Sequence, residues 1–360
     1  MNRKIFQKIL YLYIANRGLI LLTAYLYIQK PNFINYFGIW DWKWFEKIII
    51  YGYDKIPNEI GEANWAFLPF FPYAVKFFSK ITTLNYLYSA LLLNSIIFFM
   101  ILLMMYIYVK NRINERVAFT SVLLFCLSPY SFYFFIPYSE SIFLFLLLVF
   151  FYFINIKQEW LYAGAVSSIL SITRNIGVFA VFSLMVSMYE YLKSINKKII
   201  FEKYLEYVLS ILLSPLGLFV YMAYLYYLVG DSFAFSHVQA AWAREIGNPI
   251  LNILNGLFSH NLNYFCFSII SLVALILSLS LLKYKLYSEF IFAFIALLIP
   301  LSTGLFSMNR FVAPLFMLYI PVSYFFMNRN IFIKNIILFC LILGIIAITI
   351  AWIEKVWFII

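Results

Sequence analysis

Apolar runs of bilayer-crossing length follow one another from end to end of this chain. The first is "IFQKILYLYIANRGLILLTAYLYI" at 5–28 and the last "NIILFCLILGIIAITIAWI" at 335–353. A run of about 20 apolar residues crosses the hydrocarbon core as one helix. There the backbone must satisfy its own hydrogen bonds, so only helices and closed barrels are available. A barrel would show short alternating segments instead. Charged residues make up 11% of the 360, against roughly 25% in soluble domains. The expected fold class is therefore all-α, a polytopic transmembrane helical protein. Candidate spans are 5–28, 85–109, 117–136, 141–156, 160–173, 176–192, 204–229, 263–282, 286–303, 310–327 and 335–353. That gives about 11 spans in one integral membrane domain over 1–360, with long polar connections at 29–84 and 230–262. The basic start and long apolar first run, with no small-residue cleavage site, read as a retained helix. Cys126, Cys266 and Cys340 lie far apart inside apolar segments and form no metal-ligand spacing.

The formal charge of +11 sits in short clusters between spans, which points to orientation in a bilayer, with no nucleic acid as partner. With the N-terminus in the cytoplasm, Arg3, Lys4, Lys8, Lys110, Arg112, Arg116, Lys157, Lys193, Lys197, Lys198, Lys203, Lys283, Lys285, Arg329 and Lys334 all fall on the cytoplasmic side. Outside the long loop 29–84, the opposite face carries only Arg174, Arg244, Arg310 and Lys355. The same layout puts Asp41, Asp54 and Asp231, and both histidines, His237 and His260, outside. Five of the 15 acids lie in 29–84. Polar chemistry is thus expected at the extracytoplasmic face. The short basic inner connections lack a Gly-rich phosphate loop, which disfavours a cytosolic nucleotide-consuming enzyme.

Within 29–84, "WDWKWFEKIIIYGY" has helical spacing that would place Trp40, Trp44, Ile48 and Tyr51 on one face of an interfacial helix. Asp41 at its start is either an N-cap or a catalytic carboxylate. "NWAFLPFFPYAVKFFSK" at 64–80, where Pro69 and Pro72 would break a simple span, reads as a second interfacial or re-entrant element, or as a connector. Glu140, after Pro137 in "SPYSFYFFIPYSES", is either a helix cap or a ligand for a substrate hydroxyl. Arg174 and Arg310 sit where outer-leaflet phosphates lie, and either snorkel to headgroups or bind a substrate phosphate bidentately. The loop "GDSFAFSHVQAAWAREIGNPI" gathers Asp231, His237, Gln239, Trp242, Arg244 and Glu245. A ring among hydrogen-bonding groups suits a sugar. Arg17, the one charge well inside a candidate span, is either structurally paired or faces a cavity. No HExxH, CxxC pair or GxSxG occurs.

The ordered set "WDWKWFEKIIIYGY", "AFLPFFPYAVKFF", "SPYSFYFFIPYSESIF", "AGAVSSILSITRNIGV", "FSHVQAAWAR" and "MNRFVAPLFMLYIP" resembles the PIG-V family, the second GPI mannosyltransferase and its prokaryotic relatives, within the GT-C glycosyltransferase superfamily. That resemblance implies a GT-C-like fold and a hexosyltransferase, mannosyltransferase-like, with a polyprenyl- or dolichyl-phosphate-linked sugar as donor. The acceptor would be a lipid-linked or protein-linked glycan at the extracytoplasmic face of a cell membrane or endoplasmic reticulum. Asp41 matches the family's first-loop carboxylate. Glu46, Glu140, Arg174, His237, Gln239, Trp242, Arg244 and Arg310 are the candidate substrate-binding residues. The loop has no adjacent acidic pair, so no cofactor is assigned and a divalent metal stays an open option. A transporter or flippase of polyprenyl-linked sugars is the alternative. It would show internal repeats or polar groups along a path through the bilayer.

Overall fold

The computed structural model describes residues 2–194, 201–244, 246–356 and 358. Lys197, Lys198 and Glu245, named above, lie outside the described residues. No strand occurs among those described. The protein is an all-helical polytopic membrane protein, with seven described helices long and apolar enough to cross a bilayer.

The chain opens with α1 (Arg3–Ile28). Two shorter helices follow it, α2 (Asp41–Tyr51) and α3 (Phe70–Thr82). Next come α4 (Tyr86–Arg112), α5 (Glu115–Leu127), α6 (Glu140–Tyr152), α7 (Trp160–Ser171) and α8 (Ala180–Ser194). The second half holds α9 (Phe201–Leu213), α10 (Leu216–Val229), α11 (Ala234–His237), α12 (Pro249–Leu257) and α13 (Leu262–Ser280). It ends with α14 (Tyr287–Ser302), α15 (Met308–Val312), α16 (Tyr319–Met327) and α17 (Ile331–Ile353). Seven of the eleven expected spans are long helical stretches. The other four, at 117–136, 160–173, 286–303 and 310–327, are shorter or broken: α5 ends at Leu127, and a 3-10 segment separates α15 from α16.

Asparagine starts many of these helices. Asn2, Asn85, Asn114, Asn248, Asn261 and Asn330 each accept a hydrogen bond from a first-turn backbone N–H. A helix leaves its first N–H groups without intrahelical partners, and a short side-chain acceptor satisfies them. Between helices, buried amides act as bolts. Asn16 Nδ2 donates to Cys126 O and Ser131 Oγ, both at 2.8 Å. Asn94 Nδ2 donates to Ile136 O at 2.5 Å and Tyr138 O at 2.9 Å. Close helix approach uses glycine: a Cβ on Gly164 would lie 2.7 Å from Ser210 O, so α7 meets α9 backbone to backbone.

Two local expectations change. The face of α2 that packs on protein is Trp42, Phe45, Ile48 and Ile49, with Tyr51 exposed. Trp40 precedes the helix in a left-handed conformation (φ 51), so it never joins that face. Its ring packs edge-on against Trp352. In α3, Pro69 and Pro72 fall at the N-cap and first turn, where proline lacks no needed donor, so they start the helix instead of breaking it. Arg17 is buried, and among the described residues it has no carboxylate partner. It donates to Phe134 O at 3.0 Å and stacks 3.9 Å from the Phe98 ring centre.

The connections sort to two poles, as alternating spans require. Segments 41–68, 173–176, 236–246 and 299–311 converge on one cavity. Arg112, Asn155 and Glu289, at the other ends of their helices, meet at the opposite pole. Glu289 lies near the start of α14 and the cavity-lining Ser302 at its end, 13 residues on, or roughly 20 Å.

Candidate active site

The cavity holds about 630 Å³, inside the range typical of small-molecule sites. Asp41 stands at its wall as the first residue of α2. Trp40 is the N-cap, and the Asp41 carboxylate makes no capping bond. The side chain is instead turned to Arg310, whose Nη1 lies 2.6 Å from Asp41 Oδ2. The N-cap reading of Asp41 therefore gives way to an ion pair.

Arg310 is fully engaged. Its Nε and Nη2 both sit 3.0 Å from Glu140 Oε1, and its guanidinium lies 4.5 Å from the Tyr138 ring centre. Glu140 opens α6 and is completely buried. It caps nothing and does not line the cavity; it is the counter-ion behind the wall. Arg174 Nη1 approaches the same Oε1 at 2.7 Å. Glu140 Oε2 is buried with no hydrogen-bond partner. A buried pair is strongly destabilised when one partner is removed, so the whole cluster depends on each member.

Arg244 differs from the other two arginines. Among the described residues it has no carboxylate partner. Its Nη2 lies 3.5 Å from Phe306 O, at the limit of hydrogen bonding, and its guanidinium 5.3 Å from the Phe311 ring centre. Burial, then repulsion from Arg310, pulls its pKa down to about 10, which leaves it cationic at neutral pH. Three arginines against two carboxylates leave one net positive charge among the described residues of the cluster. That surplus belongs to Arg244, at the cavity wall.

Three of the eight positive-φ non-glycine residues among those described stand beside these charges. Trp40 (φ 51) precedes Asp41, Ala243 (φ 53) precedes Arg244, and Ser307 (φ 67) begins the turn that carries Arg310. Non-glycine residues in this region cost about 1–3 kcal/mol each and cluster at functional sites. The rim is aromatic: Trp242 packs edge-on against both Trp44 and Phe67, which stack on each other at 5.9 Å. Gln239 and His237 line the same side. Asp231 Oδ2 lies 2.7 Å from His237 Nδ1, and that contact holds the Asp231 carboxyl below its usual range.

Of the sequence candidates, Asp41, Arg174, His237, Gln239, Trp242, Arg244 and Arg310 line one cavity, and Glu140 braces it. Glu46 is not in the lining. Five residues after Asp41, it points about 140° away around the helix. Asp54 is a loop staple. It pairs with Lys47 at 2.6 Å, and its backbone and side chain bond those of Asn64. Sequence reasoning passed over Tyr138, Thr173, Asn175 and Phe311; the aromatic richness of the whole chain hides such residues. No group of three or more metal-type side chains gathers among the described residues, and both cluster carboxylates face arginine.

No family model and no curated protein sequence matches the chain. Among solved structures, it is similar to the crystal structure of an Archaeoglobus fulgidus oligosaccharyltransferase in complex with Zn and sulfate. The identity is 14%, over 89% of this chain and 48% of that one, with a TM-score of 0.44. The chain spans about half the length of that protein, and a likeness this loose assigns neither a shared fold nor a shared activity.

Proposed function

We propose that this protein is a GT-C-type membrane glycosyltransferase. It moves a sugar, mannose by the motif resemblance, from a polyprenyl-phosphate donor to a lipid- or protein-linked glycan. The observation that carries the reading is Asp41 at the wall of a cavity whose charge cluster leaves one unpaired arginine. The chain acts as a single integral membrane domain. The basic connections at the far pole support a cavity on the extracytoplasmic face.

Asp41 accepts the proton of the acceptor hydroxyl as that oxygen bonds to the sugar's anomeric carbon. The bond from that carbon to the phosphate oxygen breaks, and its electron pair goes to the phosphate. The sugar configuration inverts. The product is a lipid phosphate bearing one more negative charge than the donor's phosphodiester. A positioned general base contributes about 10²–10⁴-fold. The charge that grows on the leaving phosphate meets Arg244, which is free to receive it, with Arg310 and Arg174 held behind. Fixed donors of this kind are each worth about 10²–10³-fold in turnover. Arg310 also keeps the Asp41 carboxylate aimed. Trp242, Phe67 and Gln239 offer a ring face and an amide to a sugar.

The test is to incubate the purified full chain with a panel of polyprenyl-phosphate sugars and a glycolipid acceptor mixture, and to measure released polyprenyl phosphate. Release with one sugar donor, dependent on acceptor, is the expected result. No release with any donor would overturn the reading.

A further inference from the structure

We infer that Tyr138 is the positioning residue that sets the Asp41 carboxylate against Arg310, an inference that rests on the glycosyltransferase reading above. It lies in the stretch "SPYSFYFFIPYSESIF", and it touches both members of the pair. Its hydroxyl accepts a hydrogen bond from Asp41 N and donates one to Ile39 O, each at 3.1 Å. Those two bonds straddle Trp40, the left-handed residue that aims α2. The Asp41 N–H is one of the orphan donors of a helix start. At six helix starts such a donor goes to a local asparagine, and at α7 and α10 one goes to Glu206 and Ser171; here one goes to a tyrosine 97 residues away.

The ring of Tyr138 is equally placed. The Arg310 guanidinium lies over it at 4.5 Å. Phe45 and Trp352 hold it from the sides, with ring centres at 6.3 and 5.6 Å. The Tyr138 carbonyl is fixed by Asn94 of α4 at 2.9 Å. One fully buried side chain therefore ties a long helix to both charges. The hydroxyl sets Asp41 through the backbone, and the ring sets Arg310 from below. An ordinary buried tyrosine needs only one partner for its hydroxyl. This one spans the single strained turn that carries the proposed base.

Tyr138→Phe keeps the ring and removes both bonds. Turnover is expected to fall about 10- to 100-fold, as for a displacement on the order of 1 Å at a reacting group. Donor KM should stay within about 2-fold, because the Arg310 stack survives. Tyr138→Leu should also raise donor KM. A Tyr138→Phe turnover within about 2-fold of the parent overturns the inference. A second readout needs no turnover. Asp41→Cys, in a chain with Cys266→Ser and Cys340→Ser and with Cys126 buried, is labelled by a small methanethiosulfonate. Adding Tyr138→Phe should change the labelling rate about 5-fold or more if the turn is released. An unchanged rate also overturns the inference. A changed rate in a chain inactive with every donor would leave the positioning role standing and sink the glycosyltransferase reading instead.

Discussion

Glu140 and Glu289 invite comparison. Each lies in the first turn of a helix, each is completely buried, and each faces arginine. Around Glu289 every bond closes. Arg112 Nε reaches Oε1 at 2.9 Å and Nη2 reaches Oε2 at 3.3 Å. Tyr108 donates to Oε1 at 2.5 Å and Ser288 to Oε2 at 2.9 Å. Asn155 bridges Tyr108 and Ser288, and Ser187 completes the ring through Asn155 Oδ1. Around Glu140 the bonding is uneven. Two arginines crowd Oε1 while Oε2 has no partner. Arg310 divides itself between Glu140 and Asp41 beside a cavity. A satisfied buried network fixes helices in one arrangement. An unevenly satisfied one, next to open space and short of one negative charge, is built to receive a charged partner. On the proposed function, the Glu289 cluster is a bolt and the Glu140 cluster part of a site.

That contrast can be broken in graded steps. Asp41→Asn should have the largest effect on chemistry, a loss of about 10²–10⁴-fold in turnover, read as sugar transfer per mole of folded protein. Next come the paired arginines. Arg310→Ala and Arg112→Ala each strand a buried carboxylate and should cost about 3–5 kcal/mol of stability, measured by thermal or denaturant unfolding in detergent. Only Arg310→Ala should also abolish transfer by the fraction that remains folded. Equal turnover in the two variants would erase the distinction between the poles. Arg244→Ala should lower turnover by about 10²-fold, the loss of a fixed donor to the growing phosphate charge, and raise donor KM by roughly 10-fold. Its unfolding midpoint should barely move, because no described carboxylate depends on it. The smallest effect belongs to the exposed rim pair. His237→Ala should change stability by less than about 1 kcal/mol.

Much of this was legible in the sequence. The apolar runs and the basic residues between them gave the helical class and the sorting of loops to two poles. Seven of the candidate residues then met in one cavity because alternation alone brings odd-numbered connections together. The local errors have local causes. The expected face of α2 assumed that Trp40 lay inside the helix, and a left-handed backbone at a tryptophan has no signature in the sequence. Asp41 resembled an N-cap because its partner, Arg310, is 269 residues away. Glu140 resembled one for the same reason. Asp54 and Asp41 look alike in sequence; the nearby Lys47 and Asn64 absorb Asp54 into the loop. The expected spans at 117 and 335 begin two and four residues late, because the asparagine caps at Asn114 and Asn330 went unread. The role of Tyr138 was not legible, because its place in sequence says nothing of the distant backbone it bonds.

The account turns on Asp41 as the group that takes the acceptor's proton. The most direct measurement compares single-turnover sugar transfer by the parent chain and by Asp41→Asn, both purified folded, with a saturating polyprenyl-phosphate sugar. The parent should transfer and release the lipid phosphate, and the variant should bind the donor yet transfer at least about 100-fold more slowly. Transfer by Asp41→Asn at the parent's rate would contradict the account.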